Sequence, residues 1–202
     1  MVKVYFAPFA RSLRALWTLE ELGAPYEAVR VQFPPRMAQP DYMGINPLGQ
    51  IPTMVDGDVT IYESVGICEY VAEKFGPSDL QVKAGEAGRA DYLQWLWYGE
   101  ATLMPPVGAM VRNALGPEDG RNPSALAEAR ESVLARLVLV EQALAGKDFL
   151  AAGRFTLADI SVAYVLNLGT LLQLAPDYSP AIAAYFDRMK ARPAFQAAVS
   201  KG

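Results

Sequence analysis

The chain has 202 residues, 52% of them hydrophobic, and a net charge of −4 with acidic and basic residues interspersed. That length suits one large domain or two small ones with ample apolar material for a core, and the charge excludes the basic footprint of a nucleic-acid binder. A single cysteine, Cys68, and no histidine exclude a disulfide framework, a cysteine-rich metal site, the HExxH zinc motif and every histidine-based triad.

The longest apolar runs are broken by charges or glycine, so no membrane span is predicted. The opening residues MVKVYFAPFARS lack the long apolar region of a signal peptide, and the expected compartment is the cytoplasm. Residues 2–6 (VKVYF) are short, apolar and β-rich and predict a strand. Residues 12–22 place Ala15, Leu19 and Leu22 on one helical face, and Gly23 and Pro25 stop that helix. Residues 26–31 (YEAVRV) predict a second strand, completing a βαβ unit with a parallel pair.

Residues 32–50 are rich in proline, glycine and polar groups and predict a long irregular connection. Asp56-Gly57-Asp58, between TMV at 53–55 and VTIY at 59–62, is a hairpin signal. Residues 64–75 follow as a helix with Cys68, Val71 and Phe75 at helical spacing, ended by Gly76 and Pro77. The order βαβ then ββα predicts a four-stranded mixed sheet with helices. After about residue 85 the β signals vanish. A long aromatic-rich helix is predicted over 86–112, interrupted at Pro105-Pro106, then a loop at 113–123 and a helix over 124–145. Thr156 and Asp159 make a capping-box variant, with Phe155 and Ile160 as its hydrophobic staple. The helix they open carries Leu157, Ile160, Val162, Val165 and Leu168 and is apolar nearly all round, as a helix at a domain centre is. Ser179-Pro180 and Pro193 start two more helices. The predicted organisation is an α/β domain at 1–78, a linker at 79–85 and an all-helical domain at 86–202.

The motifs LEELGAPYE (19–27), NPLGQIPTM (46–54), YESVGICEYV (62–71) and FTLADISVA (155–163) stand in this order across the whole chain. Together they resemble the cytosolic glutathione transferase family. The resemblance implies a thioredoxin-like N-terminal domain that holds glutathione and an all-α helical-bundle C-terminal domain that shapes a hydrophobic-substrate pocket. It implies glutathione as co-substrate, no metal, and a homodimer.

Each piece also has a physical reading. On the Ile51-Pro52 dipeptide alone, a trans proline at the first residue of a strand accounts for the sequence. Within the surrounding motifs the resemblance implies a cis bond, with the Ile51 backbone groups turned to pair with the cysteinyl part of glutathione as an added strand does. Ser64 reads as a natural N-cap, and a helix N-terminus attracts carboxylates. The resemblance implies that Ser64 takes the γ-glutamyl carboxylate and Glu63 its ammonium; a capping serine beside a solvated glutamate is the plain structural reading. Gln50 is a further candidate, and Arg36 and Gln39 are candidates for the glycyl carboxylate. Thr156 and Asp159 resemble the family's structural capping signal and carry no catalytic role.

A free thiol has a pKa of about 8.5, so only a few per cent is thiolate at pH 7, and lowering that value by two units takes about 2.7 kcal/mol. The family usually supplies Tyr, Ser or Cys after the first strand. Here the usual serine position falls at Ala10, and the position of the bacterial cysteine falls at Arg11. Ser12 is then the nearest hydroxyl and Arg11 the nearest cation, with Tyr5 as an alternative. Cys68 lies on an apolar stripe and reads as core. For the electrophile, the expected apolar residues are Phe9 and, from the segment MPPVGAMVR (104–112), Met104, Val107, Met110 and Val111, with Arg112 near an anionic substrate. Other glutathione-dependent chemistry (isomerisation, peroxide reduction, dehalogenation, ether cleavage) shares such a site. Ala10 at the usual serine position also fits a non-catalytic protein that binds apolar ligands or a partner.

Overall fold

The computed structural model describes residues 1–201, the side chains of Arg36 and Met37 excepted. Val2, Val4 and Phe6 alternate inward along β1 (Val2–Phe6), the two-residue period of a strand. β1 pairs in parallel with β2 (Tyr26–Arg30), Val4 facing Ala28. Its other edge pairs antiparallel with β3 (Thr53–Asp56), Val4 facing Met54, and β3 pairs antiparallel with β4 (Val59–Ile61). The order is β2-β1-β3-β4, the mixed sheet that the motif order predicts. Asp56 faces Val59 across the hairpin, so Gly57 and Asp58 form a two-residue turn, with Gly57 at φ 59°.

Helix α1 (Ser12–Glu21) packs against α3 (Ser64–Lys74). The expected irregular stretch at 32–50 holds two short helical pieces, α2 (Pro35–Ala38) and a 3-10 turn at Pro40–Gly44. Proline at the start of each supplies the φ of a first helical turn.

The chain divides into two compact units, residues 1–81 with 190–202, and residues 82–189. Residues 190–202, which the sequence pattern placed with the helical half, therefore pack in the first unit. The reason lies in α9 (Pro193–Ser200). Phe195 packs edge-on against the buried Trp17 of α1, ring centroids 4.8 Å apart. Arg192 donates from Nε and Nη2 to the two carboxylate oxygens of Glu21, at 2.6 and 2.8 Å. Such a fork is specific in geometry, and nothing in helical periodicity announces it.

The second unit begins with α4 (Arg89–Trp97) and α5 (Met104–Leu115), joined by a π-helical turn at Tyr98–Leu103. The predicted interruption at Pro105-Pro106 thus takes the form of a widened turn just before the prolines. Neither proline can donate to the preceding turn, and a π-bulge accommodates that loss. Gly99 sits in this turn because a Cβ there would lie 2.4 Å from Ser161 Oγ. Ser161 belongs to α7 (Leu157–Leu171) and donates to the Leu96 carbonyl at 2.7 Å. Helices α6 (Pro123–Ala143) and α8 (Pro180–Lys190) complete the unit. Thr156 and Asp159 form the expected capping box, the Thr156 amide donating to Asp159 Oδ2 at 2.9 Å. Among the described residues no helix is long and apolar enough to cross a membrane.

Candidate functional site

In the first unit, three segments converge on the start of α1. The first is the turn that follows β1. Ala7 is buried, while Phe9 is 63% exposed and takes φ 59°, a left-handed conformation that costs a non-glycine residue of order 1–3 kcal/mol and clusters at functional loops. The apolar side chain of Phe9 is visible in the sequence, whereas its backbone strain has no signal there.

Ser12 is the first residue of α1, not its N-cap; Arg11 holds the capping position with helical φ and ψ. Ser12 is wholly buried and its hydroxyl donates to the Ala7 carbonyl at 3.2 Å. The hydroxyl therefore closes the turn, whereas Arg11 is half-buried. Tyr5 is half-buried, its ring tilted against Tyr42 at 5.7 Å between centroids.

The second segment is the bend at 49–52. The Ile51–Pro52 peptide is cis. The Ile51 side chain packs in a small apolar cluster with Ala7, Val31 and Tyr42, and Tyr5, Ala10 and Ile45 pack against it. This cluster joins the turn after β1 to the bend that carries Ile51. Buried polar groups fix the bend further. Asn46 Nδ2 donates to the Gln50 carbonyl at 2.9 Å and to Thr53 Oγ1 at 3.1 Å, and the Tyr42 hydroxyl donates to the same carbonyl at 2.8 Å. Burial holds the Tyr42 phenol above its ordinary range. Gln50 is thus held by its backbone while its side chain is exposed. Asn46 and Tyr42 were absent from the sequence-based site because an asparagine before proline reads as an ordinary turn residue.

The third segment is the start of α3. Glu63 occupies the N-cap position with extended backbone and an exposed side chain, and Ser64 is the first helical residue. Ser64 was expected as the cap. Its Oγ instead accepts a hydrogen bond from Arg14 Nη1 at 3.2 Å. The first amides of a helix have no intrahelical acceptor, and the helix dipole favours an anion there. Cys68, one turn on, is fully buried, and burial pushes its thiol up to about 11, the state of an inert core thiol.

Gln39 offers its side-chain oxygen to the Gln32 amide at 3.2 Å. The side chain of Arg36 lies outside the described residues. In the helical unit, Met104, Val107 and Met110 are buried and Val111 is half-buried. Met110 also lines a cavity of about 460 Å³ with Ala114, Leu126, Leu171 and Leu172. On α4, Tyr92 and Trp95 are core and Trp97 is exposed, while Tyr70 on α3 donates to Asp56 at 2.8 Å.

Known proteins resemble the chain over both units. The family model "Glutathione S-transferase, N-terminal domain" matches residues 8–74, and "Glutathione S-transferase, C-terminal domain" matches residues 103–193. Glutathione S-transferase F10 of Arabidopsis thaliana is 32% identical over 100% of this chain and 98% of its own length. Glutathione S-transferase 3 of Zea mays is 31% identical over 98% of this chain and 93% of its own. Among solved structures, a sphingomonad glutathione S-transferase complexed with glutathione superposes with a TM-score of 0.86 at 29% identity, covering 98% of each chain. A glutathione transferase from Methylococcus capsulatus does so with a TM-score of 0.88 at 27% identity, over 100% of this chain and 98% of that one. The chain belongs to the glutathione S-transferase family, with the thioredoxin-like and helical halves of that fold.

Proposed function

We propose that the protein is a glutathione transferase, which binds glutathione in its first unit, deprotonates the thiol and joins the sulfur to an electrophilic carbon. The observation that carries this reading is the convergence of Ala10, Ile51 and Ser64 on one end of α1, through the apolar cluster and the Arg14–Ser64 bond. The relatives' names and the sphingomonad structure with glutathione support the ligand. In this reading the Ile51 backbone, ahead of Pro52, pairs with the cysteinyl part of glutathione in the manner of an added strand. Ser64 and the first amides of α3 take the γ-glutamyl carboxylate, and the exposed carboxylate of Glu63 takes the ammonium beside it. Gln50 lies next to Ile51 and offers its exposed side-chain amide to the same ligand.

For activation, Arg11 is the proposed cation, partly exposed at the start of α1, where the helix dipole also favours a thiolate. Ser12 contributes a hydroxyl only by exchanging its bond to Ala7 for one to the sulfur. The thiol proton leaves to solvent, the sulfur lone pair forms the new C–S bond, and the electrophile either accepts the electron pair or releases a leaving group. Phe9, exposed in the turn after β1, is the proposed contributor to electrophile binding from the first unit. We also propose a homodimer in the cytoplasm. Its support is exposed apolar surface in the helical unit, Leu93 and Trp97 one turn apart on α4 and Val138 and Leu139 on α6. Sedimentation as a dimer at micromolar concentration is the expected result.

The test is turnover of several unrelated electrophiles with glutathione, alongside retention on immobilised glutathione. Conjugation with at least one electrophile is expected. Retention without turnover would assign the chain a binding role instead.

A further inference from the structure

Arg14 is fully buried in α1, a costly place for a permanent cation. Its Nη1 donates to Ser64 Oγ at 3.2 Å. Ser64 and Cys68 stand four residues apart on α3, so they share a face of that helix. Cys68 is buried on that face, and α1 packs against α3 along it. Thr18, one turn further along α1, donates to the Arg14 carbonyl at 2.8 Å and holds that turn in place.

The chemistry of the two side chains fixes the direction of the bond. Arginine has five N–H donors and no acceptor, while a serine hydroxyl has one donor and two lone pairs. The bond from Arg14 must therefore occupy a lone pair of Ser64 Oγ, and the Ser64 proton must point elsewhere. Donation from a charged group also polarises the hydroxyl and makes it a stronger donor. Ser64 stands at the first position of α3, where unsatisfied amides and the dipole already favour an anion.

We infer that Arg14 is a positioning residue that presets the Ser64 hydroxyl as a donor to a carboxylate, so that this end of the site selects glutathione by its γ-glutamyl α-carboxylate. The inference rests on the proposed placement of glutathione at Ser64. Arg14 acts through Ser64 and has no direct contact with the ligand in this account.

The experiment is calorimetric titration of the full chain with glutathione and with 4-aminobutyryl-cysteinylglycine, which keeps the ammonium and lacks the α-carboxylate. The proteins are wild type, Ser64→Ala, Arg14→Met, Arg14→Lys and the double variant Ser64→Ala/Arg14→Met. Loss of a hydrogen bond to a charged group predicts glutathione affinity about tenfold weaker in Ser64→Ala and in Arg14→Met. The double variant is expected to bind no worse than the weaker single one, and Arg14→Lys to recover part of the loss. The analogue is expected to bind all five proteins within about threefold. Equal losses for both ligands in Arg14→Met, or losses that add in the double variant, would make Arg14 merely structural and overturn the inference. Should Arg14→Met fail to fold, Arg14→Lys decides: an unchanged ratio of affinities for the two ligands overturns the inference, and a reduced ratio supports it. Undiminished glutathione affinity in Ser64→Ala would instead remove the carboxylate from Ser64, a failure of the underlying site reading, and the inference would fall with it.

Discussion

The hydroxyls of Tyr42 and Thr53 meet at 2.6 Å beside the bend that carries Ile51. Tyr42 spends its proton on the Gln50 carbonyl, so Thr53 donates to Tyr42 and accepts from Asn46. Every hydrogen bond in this buried set depends on its neighbours. Tyr42→Phe leaves the Thr53 hydroxyl without its acceptor and removes one donor from the Gln50 carbonyl. The expected cost is about 1–3 kcal/mol in urea unfolding, together with weaker glutathione binding through the loosened Ile51. Wild-type stability and affinity in Tyr42→Phe would show that packing alone sets the bend.

Phe9 tests the electrophile end. Glycine adopts positive φ at no steric cost, so Phe9→Gly relieves backbone strain at 59° while removing exposed aromatic surface. Its melting temperature is expected to equal or exceed that of Phe9→Ala. Its preference between a small and a large electrophile is expected to change, with glutathione KM nearly constant. Uniform loss of rate with both electrophiles would place Phe9 outside the pocket.

Activation is read from the absorbance of the bound thiolate against pH. Arg11→Ala is expected to raise the apparent pKa of bound glutathione, because it removes the cation at the start of α1. Ser12→Ala is expected to lose about 1 kcal/mol of folding stability, since the Ala7 carbonyl loses one of its donors and keeps only the longer bond from the Ala10 amide. A raised thiol pKa in Ser12→Ala as well would show that the hydroxyl turns to the sulfur when glutathione is bound. Tyr5→Phe is expected to be nearly silent, and a large shift there alone would reassign activation to the phenol.

Asp159 links stability to pH. It is buried at the start of α7, and burial pushes its carboxyl from an ordinary 3.8 up to about 6. Four donors oppose that shift in part: the Leu150 and Thr156 amides and the Tyr185 and Thr156 hydroxyls. With the folded value raised, the native state binds the proton more tightly than the unfolded chain. The contribution of Asp159 to stability is therefore fully present below about pH 4 and falls as pH rises through about 6. Asp159→Asn abolishes this titration and sets an amide donor among four donors, at an expected cost of about 1–3 kcal/mol. Unfolding free energies measured from pH 4 to 7 should give a wild-type minus variant difference that declines across that window. A difference that is flat or rises would contradict the burial argument.

The sequence made the four-stranded mixed sheet, the Asp56-Gly57-Asp58 hairpin and the α7 capping box legible, because each rests on local chemistry or short-period patterning. The places of Ile51-Pro52 and Glu63-Ser64 at the starts of β3 and α3 were legible as well, since proline and serine mark element boundaries. What the sequence concealed depends on contacts between residues distant along the chain. Arg192 reaching Glu21 returns α9 to the first unit. Arg14 reaching Ser64 turns an expected capping serine into an acceptor. The inward turn of Ser12 toward Ala7 was equally hidden, because a serine before a helix looks the same whether it caps or closes a loop. Which aromatics of the helix predicted over 86–112 are core was also hidden: Tyr92 and Trp95 are buried and Trp97 is exposed, a distinction that depends on α7 packing against α4.

Glutathione binding to wild type and Glu63→Ala, measured by calorimetry on the full chain, tests whether glutathione sits at the start of α3. Glu63 is exposed at the start of α3, so its replacement leaves the fold intact and removes one charge from the site. Saturable binding to wild type is expected, with Glu63→Ala weaker by more than about 1 kcal/mol, because the ligand ammonium loses its charged partner. Wild-type affinity in Glu63→Ala would contradict the placement of glutathione at this end of α3.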